Sequence, residues 1–210
     1  LSDYINKSNE ITKVFDKKIK ISLLSSFTIN GLSEILKVKS AERHVSCIVY
    51  EAPYNQYSQE ILNENSDLYK FLPDITFLIL DTRNIFGEIF RFPYSISHLE
   101  KVKIVENKIN EVKNLLDKYI EKSNSKIIVT KLNIPSFSPN GIFESKVEYN
   151  FSNMIEDFNK QLTENYLNSE NIFVYDFDKF VAKNGEDNIF NYSQFFFGDL
   201  KISMEFLPAL

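Results

Sequence analysis

The chain of 210 residues is 43% hydrophobic and 25% charged, enough apolar side chain for an ordinary globular core in one domain or at most two small ones. Its formal net charge of -5 argues against a phosphate-backbone footprint, and so against nucleic acid as a partner. A lone Cys47 and only two histidines exclude an intrachain disulfide framework and argue against a Cys/His zinc site.

Residues 3–18 carry Ile5, Ile11, Val14 and Phe15 at loosely helical spacing, with Ser2 or Asp3 as N-cap. The run Ile19, Ile21, Leu23, Leu24 ends in Ser25-Ser26 and reads as a strand. Residues 31–43 read as a helix through Leu32, Ile35, Leu36 and Val38. Residues 45–50 form a second strand that contains Cys47, expected as a packed, reduced thiol. A short helix is expected over 57–63. Residues 74–81 are nearly continuously apolar, as in a strand buried on both faces. A long amphipathic helix follows over 97–122, then a strand over 126–130. Helical spacing returns over 147–167, a fifth strand over 171–175, and a short helix starts at Asp178. Residues 185–210 are less regular and read as a tail that leads elsewhere.

Strand and helix alternate throughout, which predicts βαβ units and an α/β fold: a three-layer α/β/α sandwich on a five-stranded parallel sheet of flavodoxin-like order 2-1-3-4-5. In that order ligands bind beyond the carboxyl ends of the first and third strands. Topology alone therefore nominates residues 25–30 and 81–84. No apolar run approaches the roughly 18 residues of a membrane helix, and the chain opens with a polar stretch unlike a signal peptide, so no membrane and a cytoplasmic setting are expected.

There is no GxGxxG, P-loop, GxSxG, HExxH or CxxC. Asp176-Phe177-Asp178 after the fifth strand suggests an aspartyl-nucleophile phosphatase, but Phe180 stands where that pattern needs Thr or Val. Asp178 is better read as a helix cap. Ser25, Ser26, Thr28 and Asn30 put small polar groups at a strand end before a helix N-terminus, a setting that suits an anion. The plainer reading is a turn capped by Thr28 or Asn30. Asp81-Thr82-Arg83-Asn84 closes the central strand, and Arg83 would bind carboxylate or phosphate unless it merely pairs with Asp81. Tyr54 and Asn55 would lie beside the first cluster, or simply form a Pro53-initiated turn. His44 and His98 read as structural or solvated.

The strings Ser25-Ser26-Phe27-Thr28-Ile29-Asn30-Gly31-Leu32, Tyr50-Glu51-Ala52-Pro53-Tyr54-Asn55-Gln56-Tyr57, Pro73-Asp74 and Leu80-Asp81-Thr82-Arg83-Asn84 together resemble the N-terminal domain of FkbH-like proteins. The resemblance covers nearly the whole chain. It implies an SGNH-hydrolase-like domain over 1–200, with 201–210 opening a linker to an absent C-terminal domain of the haloacid dehalogenase superfamily. That second domain would carry the aspartyl nucleophile and its Mg2+, leaving this chain without a cofactor. Some members of the family load a glyceryl group from a phosphoglycerate onto an acyl carrier protein in polyketide-type assembly lines. Implied partners are therefore the chain's own C-terminal domain, an acyl carrier protein and a small phosphorylated or acyl substrate.

The sequence departs from active SGNH hydrolases. Their nucleophilic serine falls on Phe27, with Ser26 adjacent but out of register, and no histidine follows His98. A serine without a base is a poor nucleophile at neutral pH. The expectation is a domain without catalytic residues of its own, with Ser25, Ser26, Thr28, Asn30, Tyr54, Asn55, Asp81, Arg83 and Asn84 lining a substrate pocket. The alternative is a divergent esterase or acyltransferase that uses Ser25 or Ser26.

Overall fold

Short runs of β-branched and aliphatic residues form five strands: β1 (Lys18–Ser25), β2 (Ser46–Glu51), β3 (Ile75–Ile79), β4 (Lys126–Thr130) and β5 (Ile172–Tyr175). These come from a computed structural model that describes residues 1–11, 14–93 and 96–210. Every strand pairing is parallel, in the order β2-β1-β3-β4-β5. Parallel neighbours require crossovers, and helices supply them. The α-helices are α1 (Ser2–Asn9), α2 (Leu32–Glu42), α3 (Tyr57–Leu62), α4 (Asp67–Phe71), α5 (Thr82–Phe86), α6 (His98–Lys122), α7 (Phe151–Tyr166), α8 (Phe177–Asn184), α9 (Glu186–Ile189) and α10 (Tyr192–Gly198); α2 to α7 lie between strands, α1 precedes β1 and α8 to α10 follow β5.

Side chains alternate across the sheet and build a core on each face. On one face Leu24, Leu78, Leu80, Ile127 and Val129 meet α6 through Val105, Ile109, Val112 and Leu116, and α7 through Met154, Ile155, Phe158 and Leu162. On the other, Leu23 and Ile79 meet Ile35 of α2, Phe177 and Phe180 of α8, and Phe190, Ile202 and Leu207 from the C-terminal segment. The first core holds a chain of buried hydroxyls: Ser22 and Thr76 lie 2.5 Å apart, Thr76 and Tyr119 2.5 Å apart, and Tyr119 bonds to Ser125. Burial without these partners would strand polar groups in an apolar layer. Gly31 opens α2 at φ 96, a left-handed conformation that an L side chain would strain, so glycine suits the position.

The three-layer fold and strand order are as the alternation predicts. Several local expectations change. The first helix ends at Asn9, short of the predicted 18, and Lys18 already belongs to β1; Thr12 and Lys13 of that prediction lie outside the described residues. Neither Thr28 nor Asn30 caps α2: Gly31 occupies the cap position and no side chain bonds there. The cap of α8 is Asp176, which accepts from the Lys179 N–H, whereas Asp178 lies inside the helix and accepts from the Ile134 N–H at 3.1 Å.

Residues 185–210 do not form a tail. They run through α9 and α10 and fold back over the sheet, with Ile189, Phe190, Phe195, Lys201, Ile202 and Leu207 buried. The alternation of apolar and polar residues there is too short-ranged to show this in sequence. The packing continues across position 200, where the linker was expected to start. Cys47 sits in edge strand β2 as a free, partly buried thiol whose pKa burial raises.

Candidate functional site

The loops that leave β1 and β3 meet where the strand order reverses. Ser26 follows β1, and its own N–H donates to the Ile79 carbonyl at 3.0 Å. The Ser26 hydroxyl accepts from the Asp81 N–H at 2.8 Å, and its carbonyl accepts from the Asn84 amide. Ser26 has no solvent exposure. Ser25 ends β1, is buried, and accepts from the Phe27 N–H at 3.2 Å. Phe27, which follows Ser26, is 2% exposed and belongs to the second core.

Asp81 lies at the centre of the crevice. One carboxylate oxygen accepts from the Arg83 N–H at 2.9 Å and caps α5; the other pairs with the Lys201 ammonium. Lys201 also donates to the Asn133 side chain. Both charges are nearly shut off from water, Asp81 at 1% and Lys201 at 4% exposure. Four phenylalanine rings surround the ammonium: Phe27, Phe177, Phe190 and Phe195, with centroids between 4.7 and 5.9 Å away. Thr82 donates to the Asn133 carbonyl at 2.7 Å, tying the loops after β3 and β4 together. An isolated charge here would be very costly, so each member depends on the others.

Arg83 does not pair with Asp81 through its side chain. Its guanidinium lies 4.0 Å from the Phe195 ring centroid and forms an ion pair with Asp199. Burial lowers the guanidinium pKa, the Asp81 charge opposes that shift, and Arg91 adds to it. A guanidinium stays protonated under such shifts. The second Asp199 oxygen accepts from the Tyr54 hydroxyl. Thr28 reaches the same segment, its N–H donating to the Asp199 carbonyl at 3.0 Å and its hydroxyl to the Gly198 carbonyl at 3.1 Å. Beside these contacts is a small cleft of about 80 Å³, lined by residues that include Ser25, Thr28, Asn30, Glu51 and Tyr54. Burial and the nearby Glu34 raise the Glu51 pKa.

The fold thus gathers Ser25, Ser26, Thr28, Tyr54, Asp81, Arg83 and Asn84 at one crevice. Asn30 is exposed at the cleft's lip, and Asn55 is an exposed turn residue at φ 53. Lys201, Asn133, Asp199 and Phe195 were missed from sequence. Lys201 and Asp199 lie in the stretch read as a tail, and only their convergence in space reveals them. Neither histidine bonds a serine among the described residues. His44 follows α2 at φ 60 against the Phe15 ring, and His98 opens α6 beside Glu148 and Tyr149. Asp176 pairs with Lys131 and Lys179, and no group of three or more His, Cys, Asp or Glu residues that could hold a metal occurs among the described residues. No helix among them is long and apolar enough to cross a membrane.

Residues 20–210 match the family of the FkbH N-terminal domain. No curated protein matches the chain. Among solved structures, the N-terminal part of protein BF1531 from Bacteroides fragilis, described as containing a phosphatase domain complexed with Mg, superposes with a TM-score of 0.77 at 22% identity. The match covers 91% of this chain and 49% of that one, so the chain spans about half of that relative. Lipase Lip_vut3 from a goat rumen metagenome gives a TM-score of 0.63 at 15% identity, covering 92% of this chain and 93% of that one. A GDSL-like protein from Parabacteroides merdae gives 0.55 at 15% identity, with 94% and 93% covered. These likenesses show an SGNH-like α/β fold.

Proposed function

Because the chain belongs to the family of the FkbH N-terminal domain, we propose that it is a non-hydrolytic binding platform within an FkbH-like protein, supporting transfer of a phosphoglycerate-derived glyceryl group to an acyl carrier protein in polyketide-type biosynthesis. One observation carries the non-hydrolytic part. No histidine bonds a serine among the described residues, and the ionic group buried in the crevice is the Lys201–Asp81–Asn133 cluster beside the phenyl ring of Phe27. Ser26, next to Phe27, is closed to water and already accepts a backbone hydrogen bond, and the Thr28 hydroxyl on the other side of Phe27 donates to the Gly198 carbonyl. Chemistry in this reading belongs to a phosphatase-like domain outside the chain, with its Mg2+. The platform's Arg83 and Tyr54 then hold substrate, the carrier protein or that domain by charge and hydrogen bonding.

A fluorophosphonate probe and a transfer assay on the full-length protein test the reading. Ser25 and Ser26 are expected to stay unlabelled, and Arg83→Ala to slow glyceryl transfer by about tenfold, the loss of one charge-assisted hydrogen bond of roughly 1.4 kcal/mol. Labelling at either serine would favour a divergent esterase or acyltransferase. Wild-type transfer by Arg83→Ala would remove the crevice from the function.

A further inference from the structure

We infer that Asp199 is an internal stand-in for a carboxylate ligand, so that the crevice is a carboxylate-binding site occupied by the chain itself. The inference rests on the binding-platform reading and gives that platform a ligand class. Asp199 receives one donor on each oxygen: the Arg83 guanidinium, from the loop after β3, and the Tyr54 hydroxyl, from the loop after β2. A donor on each oxygen of a planar carboxylate is what a bound acid would be given.

Local chemistry does not explain the aspartate. Asp199 ends α10 in the left-handed region at φ 52, where glycine is the residue with least strain. It also puts a negative charge at the carboxyl end of a helix, where the dipole disfavours it. Aspartate tolerates the left-handed region better than most residues, so it is the charge that the local structure does not favour, and such disagreements concentrate at functional sites. The neighbouring backbone is fixed on both sides by buried Phe195 and Lys201. Rotation of the Asp199 side chain alone would therefore vacate the two donors while the segment stays in place. Tyr54 and Thr28 are shared with the cleft of about 80 Å³, where the remainder of a short ligand would lie. That space is far below the roughly 300 Å³ of a typical drug-sized site, which restricts the ligand to a small acid. A phosphate monoester fits less well: it brings a second negative charge, and Glu51 stands in the cleft wall.

Removing the internal carboxylate tests this. In the 210-residue chain, Asp199→Gly suits the positive φ while vacating the site. Its melting temperature should fall in sodium chloride. Sodium acetate at the same ionic strength should restore about half of the loss or more. Phosphate should not, and Asp199→Gly/Arg83→Gln should show no acetate effect. Wild-type protein should respond to acetate at least about tenfold more weakly, because a tethered carboxylate competes at an effective concentration on the order of millimolar or higher. Asp199→Ala, which also empties the site, gives the same titration should the glycine variant fail to fold. Acetate acting no better than chloride, phosphate acting better than acetate, or rescue that survives Arg83→Gln would each overturn the inference. The two readings fail separately: serine labelling removes the non-hydrolytic platform without touching acetate rescue, and absent rescue removes the internal ligand without touching the serines.

Discussion

Lys201 carries its charge into a place where only Asp81, Asn133 and four phenyl rings can answer it. A buried pair contributes little net stability against an apolar substitute, yet losing one partner leaves the other uncompensated. Lys201→Met keeps the aliphatic stem and strands the Asp81 carboxylate, so it should cost about 3–5 kcal/mol in guanidinium unfolding. Adding Asp81→Asn, which can still cap α5, should recover more than half of that loss. A single Lys201→Met variant as stable as wild type would show that Asp81 finds water or a proton instead. At this scale the sequence reading was uneven. Asp81, Arg83 and Ser26 were legible because each follows an apolar strand at the predicted crossover. Lys201 was not, because a lysine in an irregular, aromatic-rich stretch gives no sign of burial until its carboxylate, 120 residues earlier, is placed beside it.

Elements were most legible where they are long and periodic. The helix predicted over 97–122 is α6, opened by a capping box in which Ser97 and Glu100 satisfy each other. α7 was predicted from 147 but starts at Phe151, because Asn150 and Asn153 form a reciprocal cap there. Asn at both positions is a weaker sequence sign than Ser followed by Glu. Asn150→Ala should cost about 1 kcal/mol. For a chain of this size that lowers the melting temperature by roughly 2–4 °C, readable by circular dichroism at 222 nm. A cost near zero would mean that packing of Phe151, Met154 and Phe158 fixes the helix start without the cap. Of the helices shorter than two turns, α3 was legible but α4, α5, α9 and α10 were not, since so short a run shows little period.

Across the whole molecule the strand order and layers were readable, since alternating strands and helices leave few right-handed, unknotted arrangements. Closure of the crevice by the C-terminal segment was not. It depends on contacts between distant parts of the chain that no local pattern encodes. Electrostatics at this scale also sets a pH response. Asp178 has a raised pKa, chiefly from burial and with a contribution from Asp176, so its ionised form is the less favourable one in the fold. Native protein then holds this proton more tightly than unfolded chain, and the group's stabilisation is present at low pH and lost as pH rises through the folded pKa. Asp178→Asn should melt about 1–2 °C above wild type at neutral pH, with the difference fading toward pH 3. Equal melting at every pH would place the shift in the unfolded state as well.

The span between Asp81 and Lys201 also has a meaning in time. At about 5–20 residues per second, the 120 residues between them take roughly 6–24 s to synthesise. Throughout that interval the nascent chain holds β1 and β3 without the cation that neutralises their junction. The central strands of the sheet are thus among the first made and the last to be completed. A ribosome stalled just before residue 201 would carry all five strands around a junction that still lacks its cation.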